Sequence, residues 1–263
     1  MEDWKLHPKS LRQKIRTGEW TQSTSGLCPG YAQANLVVLP REFALDFILF
    51  CQRNPKPCPI MEVADAGDPI LKEIAPGADL RTDLPAYRIF ENGSLLREVP
   101  NLQQVWRDDL VSFLLGCSHT FDAVLHQAKF PLPHFTENKT PCVFTTHIPC
   151  KPAGIFSGPL VVTARAIAAS RITEVVLLTS KFNLAHGAPV HIGYPEGIGI
   201  SDLSHSEYGG LDLKPGPDEL PVFWACGVTP QAAAVAAKIP WMITHKPGHM
   251  FVCDLTINQI TND

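Results

Sequence analysis

Several features of membrane, nucleic-acid-binding and nucleotide-binding proteins are missing from this chain of 263 residues. Its apolar stretches, such as residues 43–50 and 175–178, fall far short of the roughly 20 residues that a membrane-spanning helix needs. The formal net charge is −4 and the basic residues are dispersed, which leaves no electrostatic footprint for nucleic acid or an anionic membrane. The chain also lacks the Gly-x-Gly-x-x-Gly turn of dinucleotide sites and the Gly-x-x-x-x-Gly-Lys-Ser/Thr phosphate loop. We therefore expect a small-molecule partner, with neither nucleic acid nor membrane.

The cysteines and the N-terminal residues carry no sign of export. The eight cysteines include no Cys-x-x-Cys pair, so structural zinc held by cysteines alone is not expected. The first residues are acidic and lack the basic start and apolar core of a secretion signal. We expect a cytoplasmic protein with reduced cysteines.

Hydrophobic residues make up 45% of the chain and there are no long charge runs, as is typical of a globular protein. Two segments read as strand, helix, strand. The first comprises 35–39, 41–53 and 59–63, and the second comprises 221–226, 231–237 and 241–244. In the second segment Thr229 suits the N-cap and Pro230 the first helical position. Two such units predict a parallel sheet covered by helices.

The chain between these units has a different texture. Residues 102–115 and 120–129 are predicted helices, and residues 143–148, 159–165, 174–179 and 190–192 are predicted strands because of their β-branched or alternating character. The predicted fold class is therefore α/β, with a mostly parallel, helix-covered sheet domain that is discontinuous and an inserted, smaller α+β domain. The boundaries we expect are 1–110 plus 215–263 for the first domain and 111–214 for the second.

Reactive side chains occur in Pro/Gly-rich turns where apolar runs stop, a common place for active-site groups. His245 and His249 have the His-x-x-x-His spacing of a zinc-binding helix, but Pro247 and Gly248 interrupt it and Lys246 stands where a metalloprotease has glutamate. As a turn after a parallel strand, this segment could still aim both rings at a ligand. The alternative is a hydrogen-bonded structural pair.

His186 and His191 lie in a second rigid turn. One could act as acid or base near neutral pH while the other orients it, or both could be satisfied core residues. With Asp202 a divalent metal is conceivable, but nothing supplies a third ligand. No cofactor is otherwise predicted, and a homo-oligomer remains open.

Two cysteines and one arginine complete the candidates. Cys150 follows a predicted strand. Cys226 precedes a helix start whose amide donors could activate a thiol or bind an anion. The alternative for each is an unreactive cysteine buried in the core. Arg165 could clamp a carboxylate with two parallel hydrogen bonds, or form a surface ion pair. Arg53 and Arg88 are weaker candidates of the same kind.

A series of unusual motifs across nearly the whole chain resembles the D-glutamate cyclase-like family of hydro-lyases. The segments that carry the resemblance are 30–36 (GYAQANL), 54–59 (NPKPCP), 116–118 (GCS), 148–159, 186–193 (HGAPVHIG), 223–231 (FWACGVTPQ) and 243–250. The resemblance implies a two-domain α/β fold and a reaction in which D-glutamate loses water to give 5-oxo-D-proline, or the reverse. It also suggests that Ser118 lies near the substrate.

The sequence departs from the family pattern at three places. Residues 119–122 (HTFD) replace the usual aromatic, Ser, Phe and Glu; His147 replaces a usual Asn; and Cys28 replaces a usual Ala. If Asp122 and His147 contact substrate, they alter which acid is accepted.

The residues allow a mechanism for ring closure. In this hypothesis Arg165 holds the α-carboxylate, His186 or His191 takes the amine proton, and His249 or His245 protonates the leaving oxygen. At the helix start, the N–H groups of Gly227 and Val228 form the oxyanion cradle. The adjacent Thr229 is a further substrate-binding candidate. A covalent route through Cys150 or Cys226 as nucleophile is the alternative. Dehydration of a small hydroxy acid and non-enzymatic carboxylate binding remain as other functions.

Overall fold

The computed structural model describes residues 6–137, 139–208 and 210–261. The helices within them are α1 (Pro8–Arg16), α2 (Arg41–Arg53), α3 (His119–Gln127), α4 (Pro133–Thr136), α5 (Ile172–Ser180) and α6 (Val228–Ala236). The strands are β1 (Tyr31–Pro40), β2 (Ile60–Val63), β3 (Tyr87–Glu91), β4 (Ser94–Val99), β5 (Leu110–Gly116), β6 (Cys142–Pro149), β7 (Pro159–Ala168), β8 (His191–Ile192), β9 (Glu219–Ala225), β10 (Trp241–His245) and β11 (Phe251–Thr256). No helix of these residues is both long and apolar enough to cross a membrane.

The strands form two antiparallel sheets. The first has the order β2-β5-β1-β10-β3-β4, and β11 pairs with the first half of β1. The second has the order β6-β7-β9-β8. The expectation of a mixed α/β fold is confirmed, but the expected parallel sheet is wrong, since every strand pair recorded is antiparallel.

The strand–helix–strand units exist, yet their strands are not neighbours. β1 and β2 both pair antiparallel with β5, which lies between them. In the second unit β9 belongs to the second sheet and β10 to the first, so α6 crosses from one sheet to the other. The elements of these two units were therefore predicted correctly, and their pairing was not.

Two elements were assigned to the wrong type. Residues 110–116 form β5 rather than the end of a helix; all seven are buried, and a continuous apolar run has no periodicity that distinguishes a buried strand from a buried helix. Residues 174–179 lie in helix α5, where Val175 and Thr179, four positions apart, are the buried residues. Tertiary packing of that face overrides the β-branched composition.

The two sheets share their hydrophobic interior. One cluster joins Leu36 and Leu114 of the first sheet to Trp224 of the second, and the other joins Phe113 to Phe223. The sheets also divide the chain at different points from the predicted boundaries 111 and 214, because β5 belongs to the first sheet and β9 to the second. The division into domains stays a prediction.

A structural repeat relates residues 110–129 to residues 219–238. Each copy is a seven-residue strand and a nine-residue helix, and each ends on a lysine with positive φ, Lys129 or Lys238. The helices of the two copies cross between the sheets in opposite directions, since β5 leads through α3 to β6 and β9 leads through α6 to β10. The turns at the two crossings, 117–120 and 226–229, are equivalent.

The turns are equivalent down to individual hydrogen bonds. Thr120 donates its N–H to the Cys117 carbonyl, and its hydroxyl bonds both backbone groups of Gln33 on β1. Thr229 does the same with Cys226, and its hydroxyl bonds both backbone groups of Val161 on β7. The fold therefore brings two copies of one strand–cysteine–helix turn to the junction of the sheets.

Candidate active site

A cavity of about 370 Å³ lies at the junction where the two repeated turns meet. Its size falls within the range of small-molecule sites. Both sheets and helix α6 contribute to its walls. The polar and titratable lining residues are Asn35, Arg88, Cys117, Ser118, His119, Thr140, Thr163, Tyr208, Cys226, Gln231 and His245.

The first turn contributes Cys117, Ser118 and His119. Cys117 ends the run of β5, and Ser118 is the N-cap of α3. Burial raises the pKa of Cys117 to about 12, although a hydrogen bond from the backbone of His119 opposes the shift. The sulfur therefore lies at a helix start, beside an amide donor that favours its ionised form.

The second turn places Cys226 in the same environment. Burial raises its pKa to about 11, and the backbone of Val228 opposes this through a hydrogen bond. Gly227 is the N-cap of α6 and lies against Asn35 of β1: a Cβ on Gly227 would stand 2.1 Å from the Asn35 Nδ2. Glycine at this position lets the second turn approach the first sheet.

His245 reaches the cavity because the strand that carries it is interrupted. β10 and β11 pair with the same edge of β1, and residues 246–250 form a turn between them. The Leu36 N–H lies at the break and donates to His245 Nδ1 at 3.2 Å. The imidazole thus supplies the acceptor that an uninterrupted strand would have provided.

The contacts of His245 fix its tautomer. Since the Leu36 N–H can only donate, Nδ1 is the acceptor and the proton of the neutral ring lies on Nε2; the Gln231 amide also approaches Nδ1, at 3.3 Å. Burial lowers the pKa of His245 to about 4, so the ring is neutral at pH 7. Nε2 has no hydrogen-bond partner among the described residues and is a donor available to a ligand.

His119 is the second imidazole of the cavity. Its Nδ1 lies 3.2 Å from the Ser25 hydroxyl, and burial lowers its pKa to about 4. Like His245, it is neutral at pH 7. If Nδ1 donates to Ser25, Nε2 is left as a proton acceptor.

The charge of the cavity suits an anion. None of its lining residues in the described chain is Asp or Glu, while Arg88 is among them. The Arg88 Nε donates to Glu98 at 2.9 Å, and Lys246 binds the other oxygen of Glu98 at 2.7 Å. Two helix N-termini add partial positive charge.

Arg165 lies behind the cavity instead of lining it. Its Nε and Nη2 each donate to Asp122 at 2.9 Å, and Nη2 also reaches the Ser118 hydroxyl at 3.3 Å. His134 Nε2 lies 2.9 Å from the same carboxylate. Although burial opposes it, Arg165 and His134 hold the pKa of Asp122 well below its usual value. A substrate clamp by Arg165 and a substrate contact by Asp122 stay predictions that this geometry does not support, because the two groups are already committed to each other.

Four predicted histidines lie outside the cavity lining. His186 is buried, with Nδ1 bonded to the Lys56 carbonyl at 2.9 Å, and the ring of His191 bonds the Tyr194 carbonyl. His249 Nδ1 bonds the Pro247 carbonyl within its own turn, and His147 is exposed. The structure brings His245 to the cavity and leaves its three proposed catalytic partners elsewhere.

The remaining candidates divide in the same way. Cys150 is buried in the second hydrophobic cluster, whereas Cys226 and Val228 line the cavity. The sequence predicted Thr229 as the N-cap of α6, and this prediction is wrong because Gly227 holds that position. Its hydroxyl joins the helix to β7 and serves the scaffold.

Sequence reasoning missed Cys117, His119, Asn35 and Gln231. Because residues 102–115 were predicted as a helix, the sequence did not indicate that Cys117 follows the end of a strand and lines a cavity. A comparison of the chain with itself at an offset of 109 would have aligned Cys117 with Cys226 and Thr120 with Thr229, and internal repeats are a signal worth testing first.

The described residues contain no group of three or more His, Cys, Asp or Glu side chains that could hold a metal ion. Asp202 instead bonds Ser204. A divalent metal stays a prediction.

A second cavity, of about 800 Å³, is larger but chemically poorer. It lies beside Trp20 and Phe135, and His126 is its one titratable lining residue in the described chain. We therefore take the smaller cavity as the candidate active site.

Comparison with known proteins shows the family of this chain. The chain belongs to the D-glutamate cyclase family, whose model matches residues 111–254. Its relatives include proteins named "Putative hydro-lyase" from Rubrobacter xylanophilus (51% identical; 92% of this chain and 93% of the relative), Stutzerimonas stutzeri (49%; 97% and 96%) and Natranaerobius thermophilus (49%; 95% and 96%). A solved nitrogen repressor-like protein from Methanococcus jannaschii aligns over 93% of this chain and 97% of its own with a TM-score of 0.38 and 10% identity, a similarity too weak to carry an argument.

Proposed function

We propose that the protein is a hydro-lyase that acts on a small carboxylic or amino acid in the cavity between Cys117 and Cys226. In this proposal its reaction is the closure of D-glutamate to 5-oxo-D-proline and water, or the reverse. The observation that carries this is the character of the cavity. It is anion-attracting, lacks carboxylates among its described lining residues and contains two neutral imidazoles.

Binding of a dicarboxylate needs two places for negative charge. Arg88 and the start of α6 supply one end of the cavity, and the start of α3 with the Ser118 hydroxyl supplies another. Helix starts hold carboxylates through free N–H groups and the helix dipole. We assign the α-carboxylate to Arg88, in place of Arg165.

Ring closure requires the amine to lose a proton and the side-chain carboxyl group to lose an oxygen. The amine nitrogen bonds to the carboxyl carbon, one C–O bond breaks, and the oxygen leaves as water. In our proposal His119 Nε2 accepts the proton of the neutral amine and passes it to the hydroxyl group that leaves as water, while His245 Nε2–H donates a hydrogen bond to that leaving oxygen. Asn35, whose Nδ2 is held by the Gly116 carbonyl at 2.8 Å, orients the substrate.

Two other functions use the same cavity. Dehydration of a small hydroxy acid would employ the same donors, and a carboxylate-binding protein would need the anion-attracting groups without turnover. Turnover and binding assays on the same samples separate these outcomes.

The test is mass spectrometry for gain or loss of water after incubation with D- and L-glutamate, both 5-oxoprolines and a panel of hydroxy acids. We expect D-glutamate or 5-oxo-D-proline to react. His245→Asn keeps an acceptor for the Leu36 N–H and loses the Nε2 donor, so kcat should fall by about 100-fold or more. The control is His205→Gln, whose histidine side chain is 91% exposed. Silence across the panel, with and without added divalent metal, would contradict the proposal; binding without turnover would indicate a carboxylate-binding protein.

A further inference from the structure

The two cysteines of the cavity are related by the structural repeat. Each follows the last residue of a seven-residue strand, receives a hydrogen bond from the backbone two residues later, and precedes a nine-residue helix. The helices leave the cavity in opposite senses between the sheets. Cys117 and Cys226 both line this cavity, and Cys226 is close enough to Cys117 to contribute electrostatically to the raised pKa of the Cys117 thiol.

Two other polar side chains of the cavity offer atoms that a ligand can bind. His245 is 4% exposed and Asn35 is 5% exposed, and both line the cavity. His245 Nε2 and Asn35 Oδ1 have no hydrogen-bond partner among the described residues. Both atoms are open to the cavity and are not sealed in the interior, so the polar groups of a ligand can bind them.

We propose that Cys117 and Cys226 form a proton donor and acceptor pair that inverts the configuration at the α-carbon of the amino acid, or of its lactam, bound between them. This stereoinversion is an activity additional to loss of water. It rests on the proposed function only in taking the cavity as the site of a small amino acid.

The symmetry of the pair is the reason for this assignment. Ring closure moves a proton from nitrogen to oxygen, so it needs a proton carrier and a hydrogen-bond donor at different atoms, as His119 and His245 provide. Inversion at one carbon needs two groups of the same kind on opposite faces, because the forward and reverse reactions are mirror images. Cys117 and Cys226, at equivalent turns of one cavity, are two groups of the same kind, and the proposal places them on opposite faces of that carbon.

The step balances without a co-reactant. One cysteine, as thiolate, takes the α-proton, and the electron pair of the C–H bond is left on the carbon and delocalised into the carboxyl group. The other cysteine, as thiol, gives its proton to the opposite face of the same carbon. The thiol and thiolate have then exchanged roles, and proton exchange with water restores them.

The surroundings favour the charged intermediate. Arg88 and the two helix starts face developing negative charge on the carboxyl group, and the amide donors at His119 and Val228 stabilise a thiolate. Burial raises the pKa of both thiols, so the thiolate is a small fraction at neutral pH and exchange is expected to be slow, over hours.

The experiment follows the α-hydrogen in D₂O. The purified full chain is incubated with each enantiomer of glutamate and of 5-oxoproline, and ¹H NMR records loss of the α-hydrogen signal while chiral chromatography records inversion. We expect deuterium in the inverted enantiomer and little in the recovered starting enantiomer, which is the signature of two separate proton-transfer groups.

Variants assign the groups. Cys117→Ser and Cys226→Ser should each lower inversion by about 100-fold or more. Each variant retains one thiol, so each should still exchange the α-hydrogen of one enantiomer, and the preferred enantiomer should differ between the two. Cys51→Ala, which removes a buried thiol of α2, should behave as wild type. Thermal unfolding and 5-oxo-D-proline binding check that each variant is folded.

The outcomes separate the two proposals because water loss is followed by mass spectrometry in the same samples. Water loss without α-hydrogen exchange would overturn the stereoinversion and leave the hydro-lyase standing. Exchange without water loss would support the cysteine pair and remove the hydro-lyase. Absence of both, or exchange unaffected by either cysteine substitution, would overturn the pair; if neither variant folds, the wild-type labelling pattern decides alone.

Discussion

At the scale of single residues, two arginines near the cavity differ in what binds their guanidinium groups. Arg165 and Arg88 were both candidate carboxylate clamps, and the sequence favoured Arg165. Arg165 is committed to Asp122 behind the cavity, while Arg88 lines it. A sequence records that an arginine is present but not whether a buried carboxylate already holds it.

The buried pair gives a prediction about stability. Arg165→Met leaves Asp122, which has no solvent exposure, without its main partner, and removing one member of a buried pair typically costs about 3–5 kcal/mol. Urea unfolding should show a loss of this size. Arg107→Met, which removes an exposed partner of Asp109, should cost less than about 1 kcal/mol. A loss for Arg165→Met as small as that of the control would mean that His134 alone satisfies Asp122.

At the scale of elements, the sequence predicted those with clear boundaries. Helix α2 agrees with its predicted range because Pro40 precedes it and its apolar residues recur at helical spacing. Strand β5 was missed because all its residues are buried. The pairing of β10 and β11 with one edge of β1 could not be predicted, since it joins residues more than 200 positions apart, such as Val37 with Thr244.

The junction of α6 with β1 gives a second prediction. Gly227→Ala would place a Cβ 2.1 Å from the Asn35 amide, which the Gly116 carbonyl holds in place. We expect about 1–3 kcal/mol of destabilisation from overpacking and a loss of turnover, because Cys226 and Asn35 are displaced together. The control is Gly216→Ala, where the nearest atom is 3.4 Å away. Full activity and stability in Gly227→Ala would show that the turn need not approach β1 so closely.

At the scale of the whole molecule, buried histidines link stability to pH. Burial lowers the pKa of His119, His186 and His245 to about 4, below the value near 6.5 of an unfolded histidine. Between these values the unfolded state binds more protons, so stability is fully present above pH 6.5 and is lost as pH falls towards 4.

Urea unfolding at pH 7.5, 6.5 and 5.5 measures this effect. As the pH is lowered, the free energy of unfolding should decrease by up to about 1.4 kcal/mol per pH unit for each histidine. His205→Gln, which alters an exposed side chain, should leave the slope unchanged, and His119→Asn should reduce it. A free energy that stays constant over this range would contradict the assignment of these rings as neutral.

The overall organisation is also where sequence reasoning reached least far. The motifs placed Ser118, Cys226, Val228 and the 245–249 turn at one site, and the cavity contains residues from each of these places. The repeat that brings them together was not recognised: its two copies agree at Cys117 and Thr120 but share few other residues, and their strands lie in different sheets. Cys117 is the counterpart of Cys226 because each lies between a seven-residue strand and a nine-residue helix.

The central claim is that the cavity between the two cysteine turns is the active site. A crystal structure of the protein soaked with 5-oxo-D-proline tests it most directly. We predict the ligand between Cys117 and Cys226, with its carboxylate towards Arg88 and its lactam carbonyl oxygen within hydrogen-bond distance of His245 Nε2. Ligand bound instead in the larger cavity beside Trp20 and Phe135, with the space between the cysteines filled by solvent, would contradict the account.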